Sequence, residues 1–199
     1  IGGTTQRAIA KLLKQNKEEF KNVSLSNGSL MRCSPLALLN CDEASLKNII
    51  KIQNNITHEM EDAFLADLFL IKAIKLIEQG KSKDEIYNLM LAWSELNFKF
   101  FHNYLQHIYS VRWDKLETSG SVYETLFVAF WGLLRCTNFE EALIMVVNRG
   151  DDADTCGAVT GALCGAFYGV EAIPERWLKV IQKKEEIEKE LDRIILSEA

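Results

Sequence analysis

Proline is nearly absent from this 199-residue chain, which has two, and its 11 glycines lie outside any Ser/Gly-rich or low-complexity tract. That leaves little composition for a disordered linker, so the chain is expected to be folded throughout. The five cysteines, Cys33, Cys41, Cys136, Cys156 and Cys164, are odd in number and include no CxxC pair. They write neither a zinc ribbon nor a secreted disulfide framework, and a reducing cytoplasm is the simplest home for them. No apolar run reaches the roughly 18 residues of a membrane span, and no basic-then-apolar leader pattern opens the sequence. A soluble, cytoplasmic protein that engages no membrane is the expectation. Positive charge is also short: 23 Lys and Arg stand against 28 Asp and Glu, for a formal net charge of −5. This balance argues against a partner held by broad phosphate neutralisation, hence against nucleic acid, and leaves a local anion pocket open.

What is present is apolar surface, 48 % of the residues, enough for one core without disulfides or structural metal. One compact domain over residues 1–199 is expected. The first residue is Ile1 and not Met, so the sequence is taken as a processed piece or one part of a longer chain.

Apolar residues recur with the 3.6-residue helical period almost everywhere, and hardly any stretch alternates as a half-buried strand does. The fold class is all-α. Thr4 or Thr5 is expected to cap a helix running to about Phe20, and Pro35 suits the first turn of a short helix ending near Asn40. Further helices are expected over Glu43 to Asn54, His58 to Gln79, and Lys83 to about Tyr109, the last broken near Asn97. Gly80 ends one helix, and Ser82 with Glu85 forms a capping box for the next. Another helix fits Ser121 to Arg135, and Asn138 with Glu141 is a second capping box, opening a helix that ends at Gly150. The next begins within Asp152-Ala153-Asp154-Thr155 and carries Gly157, Gly161, Gly165 and Gly169 as a stripe down one side. Each glycine costs up to about 1 kcal/mol of helix propensity, so close approach of another backbone is the expected compensation. A last helix is expected from Pro174 to about Leu196.

Several apparent motifs fail on spacing or residue type. Gly80-Lys81-Ser82 imitates a P-loop whose first glycine position is Lys75, and His58 to Asp62 lacks the second histidine of a zinc-protease helix. His102 and His107 stand roughly 140° apart around a helix and do not share a metal easily. Three constellations survive. Arg149-Gly150-Asp151-Asp152-Ala153-Asp154-Thr155 packs three acids between two helices; Asp152, Asp154 and the Thr155 hydroxyl are hard oxygen donors suited to Mg²⁺. The bland alternative is a helix cap, since acids at a helix start favour the dipole. Two carboxylates and a hydroxyl are also too few for a complete site. Ser26-Asn27-Gly28-Ser29-Leu30-Met31-Arg32 is a small-residue turn whose free N–H groups, with Ser29 as a donor, suit a diphosphate; the alternative is a plain polar loop. Thr57-His58 at the mouth of a long helix reads as a cap or as a ribose or phosphate contact.

On these residues, and over Ser26 to Leu36, Thr57 to Ala63 and Gly120 to Trp177, the chain resembles the ADP-ribosylglycohydrolase family, relatives of the dinitrogenase-reductase-activating glycohydrolase. The likeness is densest at Glu140-Glu141-Ala142-Leu143, Gly150 to Gly157, Gly161-Ala162-Leu163, Tyr168-Gly169 and Ile173-Pro174-Glu175-Arg176-Trp177. The resemblance implies an all-helical fold around a two-ion Mg²⁺ site. It also implies hydrolysis of the glycosidic bond joining ADP-ribose to a protein side chain, often arginine, or to a small compound. It assigns Asp152, Asp154 and Thr155 as metal ligands, Asn27, Gly28, Ser29 and His58 to the diphosphate and ribose, and Gly120, Ser121 and Tyr123 to the adenosine side. Members carry an upstream Gly-Asp-Ala type segment and a Thr-Asp-Asp type segment that supply the other ligands and a candidate acid or base; neither occurs here. The chain is accordingly expected to be the C-terminal two-thirds of such a protein, with its proton-handling carboxylate upstream of Ile1. A second departure is Asp151, where members usually carry glycine. A catalytically deficient ADP-ribose reader or a structural relative is the alternative the missing segments suggest.

Overall fold

The computed structural model describes residues 2–13 and 24–197, and among these the chain forms eleven α-helices. They are α1 (Gly3–Leu12), α2 (Leu30–Cys33), α3 (Glu43–Asn55), α4 (Glu61–Glu78), α5 (Lys83–Asn97), α6 (Lys99–Leu105), α7 (Val122–Arg135), α8 (Phe139–Val147), α9 (Ala153–Tyr168), α10 (Glu175–Leu178) and α11 (Lys184–Ser197). The described residues contain no strand, and one isolated antiparallel bridge joins Ser26 to Ser121. The all-α expectation holds.

Local chemistry accounts for most helix starts. The Asp42 carboxylate accepts from Ser45 N at the head of α3, and Ser82 and Glu85 form the expected capping box at α5. At α8 the Asn138 side chain accepts from Glu141 N, but the Glu141 carboxylate reaches back one residue further than a capping box requires, to Thr137 N at 2.7 Å. Gly80 takes φ +75 past the end of α4, a conformation that costs glycine nothing.

Three boundaries differ from the periodicity and one expected break is present. Gly2, not a threonine, occupies the N-cap of α1; Thr4 turns away to donate to Ser24 Oγ at 3.1 Å, and the expected continuation towards Phe20 lies outside the described residues. Residue 58 is not helical: Thr57 N and His58 N both donate to Asn54 O, closing a turn that delays α4 to Glu61. The break near Asn97 is real, with Phe98 at φ −140 between α5 and α6. The last expected helix is two, α10 and α11, parted by residues 179–183 with Lys183 at φ +59. That segment holds neither glycine nor proline to announce the break.

At the centre lie α4, α7 and α9. The middle of α4, from Ala63 to Ile71, is buried on nearly every side, while Lys72 and Lys75 bring its second half to the surface in ion pairs with Glu43 and Glu78. Phe69 meets Phe101 and Phe130 edge-on, at centroid distances of 5.1 and 4.9 Å. The glycine stripe of α9 faces α8. A Cβ at Gly157, Gly161 or Gly165 would lie 3.1, 3.8 or 3.8 Å from Val147, Leu143 or Phe139. The close partner is thus a row of apolar side chains and not a backbone, and Gly169 belongs to the helix end, at φ +81.

Candidate active site

Segments far apart in sequence converge at the N-terminus of α9. The loop before α7 hands its carbonyls to both neighbours: Asp152 N donates to Thr118 O at 2.9 Å, and Asn27 N donates to Gly120 O at 3.0 Å. The Ser26–Ser121 bridge and the bond from Val122 N to Leu25 O at 2.8 Å hold the small-residue turn alongside that loop. With the backbones fixed, the buried Asn27 amide donates to Asp152 Oδ2 at 2.6 Å and to Thr125 Oγ1 at 2.7 Å. Thr155 Oγ1 donates to Asp152 Oδ1 at 3.0 Å. Asn27, Asp152 and Thr155 therefore form one cluster, with Gly120 against it: a Cβ there would stand 3.7 Å from Asp152 Oδ2. Asp152 flanks α9 without capping it through its side chain, so its oxygens answer to neighbours other than the helix backbone. Asp154 is exposed one turn-step on, and Asp151 is exposed at φ +49.

The oxygens of Asp152, Asp154 and Thr155 are hard donors of the type Mg²⁺ takes, and the contact between Thr155 and Asp152 puts two of them on one side of the loop. Among the described residues no group of three or more His, Cys, Asp or Glu is arranged to hold an ion. The three oxygens fit the chemistry of the ion as part of a ligand set, short of the six that octahedral Mg²⁺ fills with protein, water or substrate.

His58 lies beneath the turn, with no exposed surface. Its Nε2 is 2.8 Å from Ser26 Oγ and its Nδ1 2.6 Å from Thr57 Oγ1, so both ring nitrogens are occupied by hydroxyls. Burial, with the Arg32 charge nearby, lowers its pKa to about 4, leaving it neutral at pH 7. The Gly28 backbone presses on the ring: a Cβ would fall 2.8 Å from His58 Cε1. The Ser29 hydroxyl, expected to face an anion, points inward and donates to Asp67 Oδ1 at 3.2 Å. What the turn can offer an anion is the backbone of half-buried Gly28, whose N–H has no acceptor among the described residues; Ser29 has no exposed surface.

Tyr123 stands apart from the Asp152 cluster. Its ring packs on Phe100 at 4.7 Å, tilted, and on Phe98 at 5.9 Å, while its hydroxyl donates to Asp62 Oδ2. Burial and the Asp62 charge push its phenol pKa well up. Tyr104 joins this patch and also lines a cavity of about 450 Å³ with His107, Glu124 and Phe127. Glu124 in turn accepts from Ser119 N at 3.1 Å, so the cavity abuts the loop that carries Gly120.

Four residues outside the sequence-based set support the site. Thr125 and Thr118 fix Asn27 and Asp152; Arg32 donates to Gly28 O at 2.7 Å and to Thr57 Oγ1 at 2.7 Å; Asp67 takes the Ser29 hydroxyl. Arg32 lies inside the quoted turn motif and is legible as part of it; Thr118 and Thr125 carry no local signal, and Asp67 carries one only in the apolar run around it.

A family model described as ADP-ribosylglycohydrolase matches residues 1–199. The chain is 28 % identical over 194 residues to ADP-ribosylarginine hydrolase Tri1 of Pseudomonas putida, covering 95 % of this chain and 52 % of that protein. It is 28 % identical over 204 residues to the ADP-ribosyl-[dinitrogen reductase] glycohydrolase of Rhodospirillum rubrum, covering 98 % of this chain and 65 % of that one. A solved structure titled ADP-ribosylglycohydrolase-related protein complex superposes with a TM-score of 0.80 at 29 % identity, over all of this chain and 70 % of the other. The chain thus spans about half to two-thirds of the length of these curated relatives. No helix among the described residues is long and apolar enough to cross a membrane.

Proposed function

Because the chain belongs to the ADP-ribosylglycohydrolase family, we propose that the protein it represents is a Mg²⁺-dependent hydrolase of the bond between ADP-ribose and a side chain, arginine in the first instance. The observation that carries this reading is the Asn27–Asp152–Thr155 cluster, which joins an anion-accepting turn to a pair of acids at a helix start. Two relatives named for removing ADP-ribose from arginine and from dinitrogen reductase support the substrate class.

Each part has work in such a reaction. Asp152, Asp154 and Thr155 would hold Mg²⁺, which supplies electrostatic complementarity to the ribose hydroxyls and orients water as the glycosidic bond weakens. Asn27 spends its amide hydrogens on Asp152 and Thr125, so it fixes the direction of the Asp152 carboxylate. The half-buried backbone of Gly28 is the part of the turn open to the diphosphate, and neutral His58 supports the turn from below through Ser26. Positive charge for a diphosphate comes from Arg32, which is half-buried behind the turn. Ser121 holds the turn in register with the α7 loop, and the exposed Phe100 and Tyr104 rings, backed by buried Tyr123, offer the adenine a stacking face.

The test is the Asp152→Ala, Asp154→Ala double variant of the full-length protein, assayed for Mg²⁺-dependent release of ADP-ribose from ADP-ribosylated arginine. Release is expected to fall to background. Undiminished turnover removes both acids from the mechanism, and calorimetric binding of ADP-ribose without turnover in the unaltered protein replaces the hydrolase by a reader.

A further inference from the structure

A second polar cluster braces the turn from behind, and its centre, Asp67, takes no part in the chemistry just proposed. Asp67 sits in the middle of α4 between Ala66 and Leu68, with no exposed surface. A carboxylate in that position is costly unless its oxygens are filled. Oδ1 accepts from Ser29 Oγ at 3.2 Å, and Oδ2 accepts from Gln53 Nε2 and Asn54 Nδ2, each at 3.1 Å. Asn54 Nδ2 also donates to Ser29 Oγ at 3.1 Å, closing a triangle of Asp67, Asn54 and Ser29. On the other side of the turn Arg32 takes Gly28 O at 2.7 Å and Gln53 O at 3.1 Å.

The turn is thus clamped to α3 and α4 from two directions, at buried Ser29 and at Gly28, the half-buried residue whose N–H has no acceptor among the described residues. Packing alone does not explain an acid here, because an apolar side chain of similar volume is often as stable or more stable in such a place. We infer that Asp67 is a positioning residue: through the Ser29 hydroxyl its buried carboxylate sets the Asn27-Gly28-Ser29 turn, and with it the Gly28 backbone that receives a diphosphate. The ligand class rests on the proposed function; the positioning itself does not.

Three variants separate position from charge. Asp67→Leu removes every acceptor and strands three buried donors. Asp67→Asn keeps the link and the shape: the new amide can donate to Ser29 Oγ while its oxygen accepts from Gln53 and Asn54, leaving the Ser29 proton and one amide hydrogen without a partner in this set. Ser29→Ala cuts the link from the other end. ADP-ribose binding by calorimetry on the full chain is expected to weaken about tenfold or more in Asp67→Leu and in Ser29→Ala, as a misplaced binding group does. Asp67→Asn should stay within about threefold of the unaltered protein, and the Asp67→Leu, Ser29→Ala double variant should bind no worse than the weaker single one. In the absence of ligand, hydrogen exchange at the Asn27 and Met31 amides, which donate to Gly120 O and Asn27 O, should quicken in Asp67→Leu and Ser29→Ala and hold in Asp67→Asn, with α7 unchanged. Unaltered exchange at those amides overturns the inference, as do equal losses in Asp67→Leu and Asp67→Asn. If Asp67→Leu does not fold, Ser29→Ala against Asp67→Asn makes the same comparison. If the unaltered protein ignores ADP-ribose, the functional reading fails while the exchange measurement still decides the role of Asp67.

Discussion

Replacing Gly28 by alanine tests the most crowded point of the site. Gly28 is not at positive φ, so alanine meets no backbone penalty, and the whole cost comes from what its methyl would touch. That methyl would lie 2.8 Å from His58 Cε1 and 3.2 Å from Nε2. The ring has nowhere to go: it is fully buried and held at both nitrogens, by Ser26 at 2.8 Å and Thr57 at 2.6 Å. Forcing a carbon into a packed core costs about 1–3 kcal/mol. Pushing the ring far enough to accept it breaks the Ser26 bond, a further loss of about 1 kcal/mol. Together these predict a destabilisation of about 2–4 kcal/mol, which at the roughly 2–4 °C per kcal/mol typical of domains this size lowers Tm by roughly 4–16 °C. Urea unfolding followed by circular dichroism reads the first figure and calorimetry the second. The same substitution made on His58→Ala should be nearly free, because the obstacle has gone. A Gly28→Ala protein within about 0.5 kcal/mol of the unaltered one, or an equal cost with and without the imidazole, refutes the reasoning.

Two further outcomes follow from the interior. Gly161→Ala should stabilise by up to about 1 kcal/mol in urea unfolding, since alanine favours helix and its Cβ would make ordinary contact with Leu143 at 3.8 Å; a loss of stability there would mean α8 and α9 pack closer than described. Asp67, which burial raises to about 7 against 3.8 in the unfolded chain, binds a proton more readily when folded. Its contribution is therefore fully present below pH about 4 and is lost as pH rises towards about 7. The Arg32 charge and the Cys33 thiol face the same carboxylate, Arg32 opposing the rise. His58 acts in the opposite sense over the same window, losing stability as pH falls from 6.5 towards about 4. Subtracting the profile of Asp67→Asn isolates the acid, and a difference that does not fall between pH 4 and 7 contradicts the assignment.

Helices with strong local grammar were legible from the sequence. Ser82 and Glu85 sit at capping distance before an apolar period, and the structure puts both hydrogen bonds in place. His58 misleads for a related reason. Thr57-His58-Glu59-Met60 has the look of a helix start, yet the two backbone N–H groups at 57 and 58 turn back to Asn54 O and hold the residue outside α4. The break between α10 and α11 carries no glycine or proline, so composition has nothing to report there. Asp67 is easily missed because a single acid in a helix ordinarily marks its wet side. The signal was the run around it, Ala66 and then Leu68, Phe69, Leu70 and Ile71, which leaves no polar face for it to join.

The site is harder to read than the helices because its decisive pairings are long-range. Asn27 meets Thr125 and Asp152 across 98 and 125 residues of sequence, and no local pattern in a turn specifies which distant carboxylate it will face. Each half has a bland reading on its own: a polar loop at 26–29, a charged helix start at 152–155. What distinguishes them is that the backbone bonds from Asn27 N to Gly120 O and from Asp152 N to Thr118 O dock both halves on one loop, within two residues of each other. A helix cap has no need of that docking, since its acid would satisfy its own backbone, and the Asp152 side chain does not. Its oxygens are instead directed by a threonine and by an asparagine whose other amide hydrogen Thr125 holds still. That expenditure of buried polar groups on aiming one carboxylate makes physical sense where the carboxylate is aimed at a ligand.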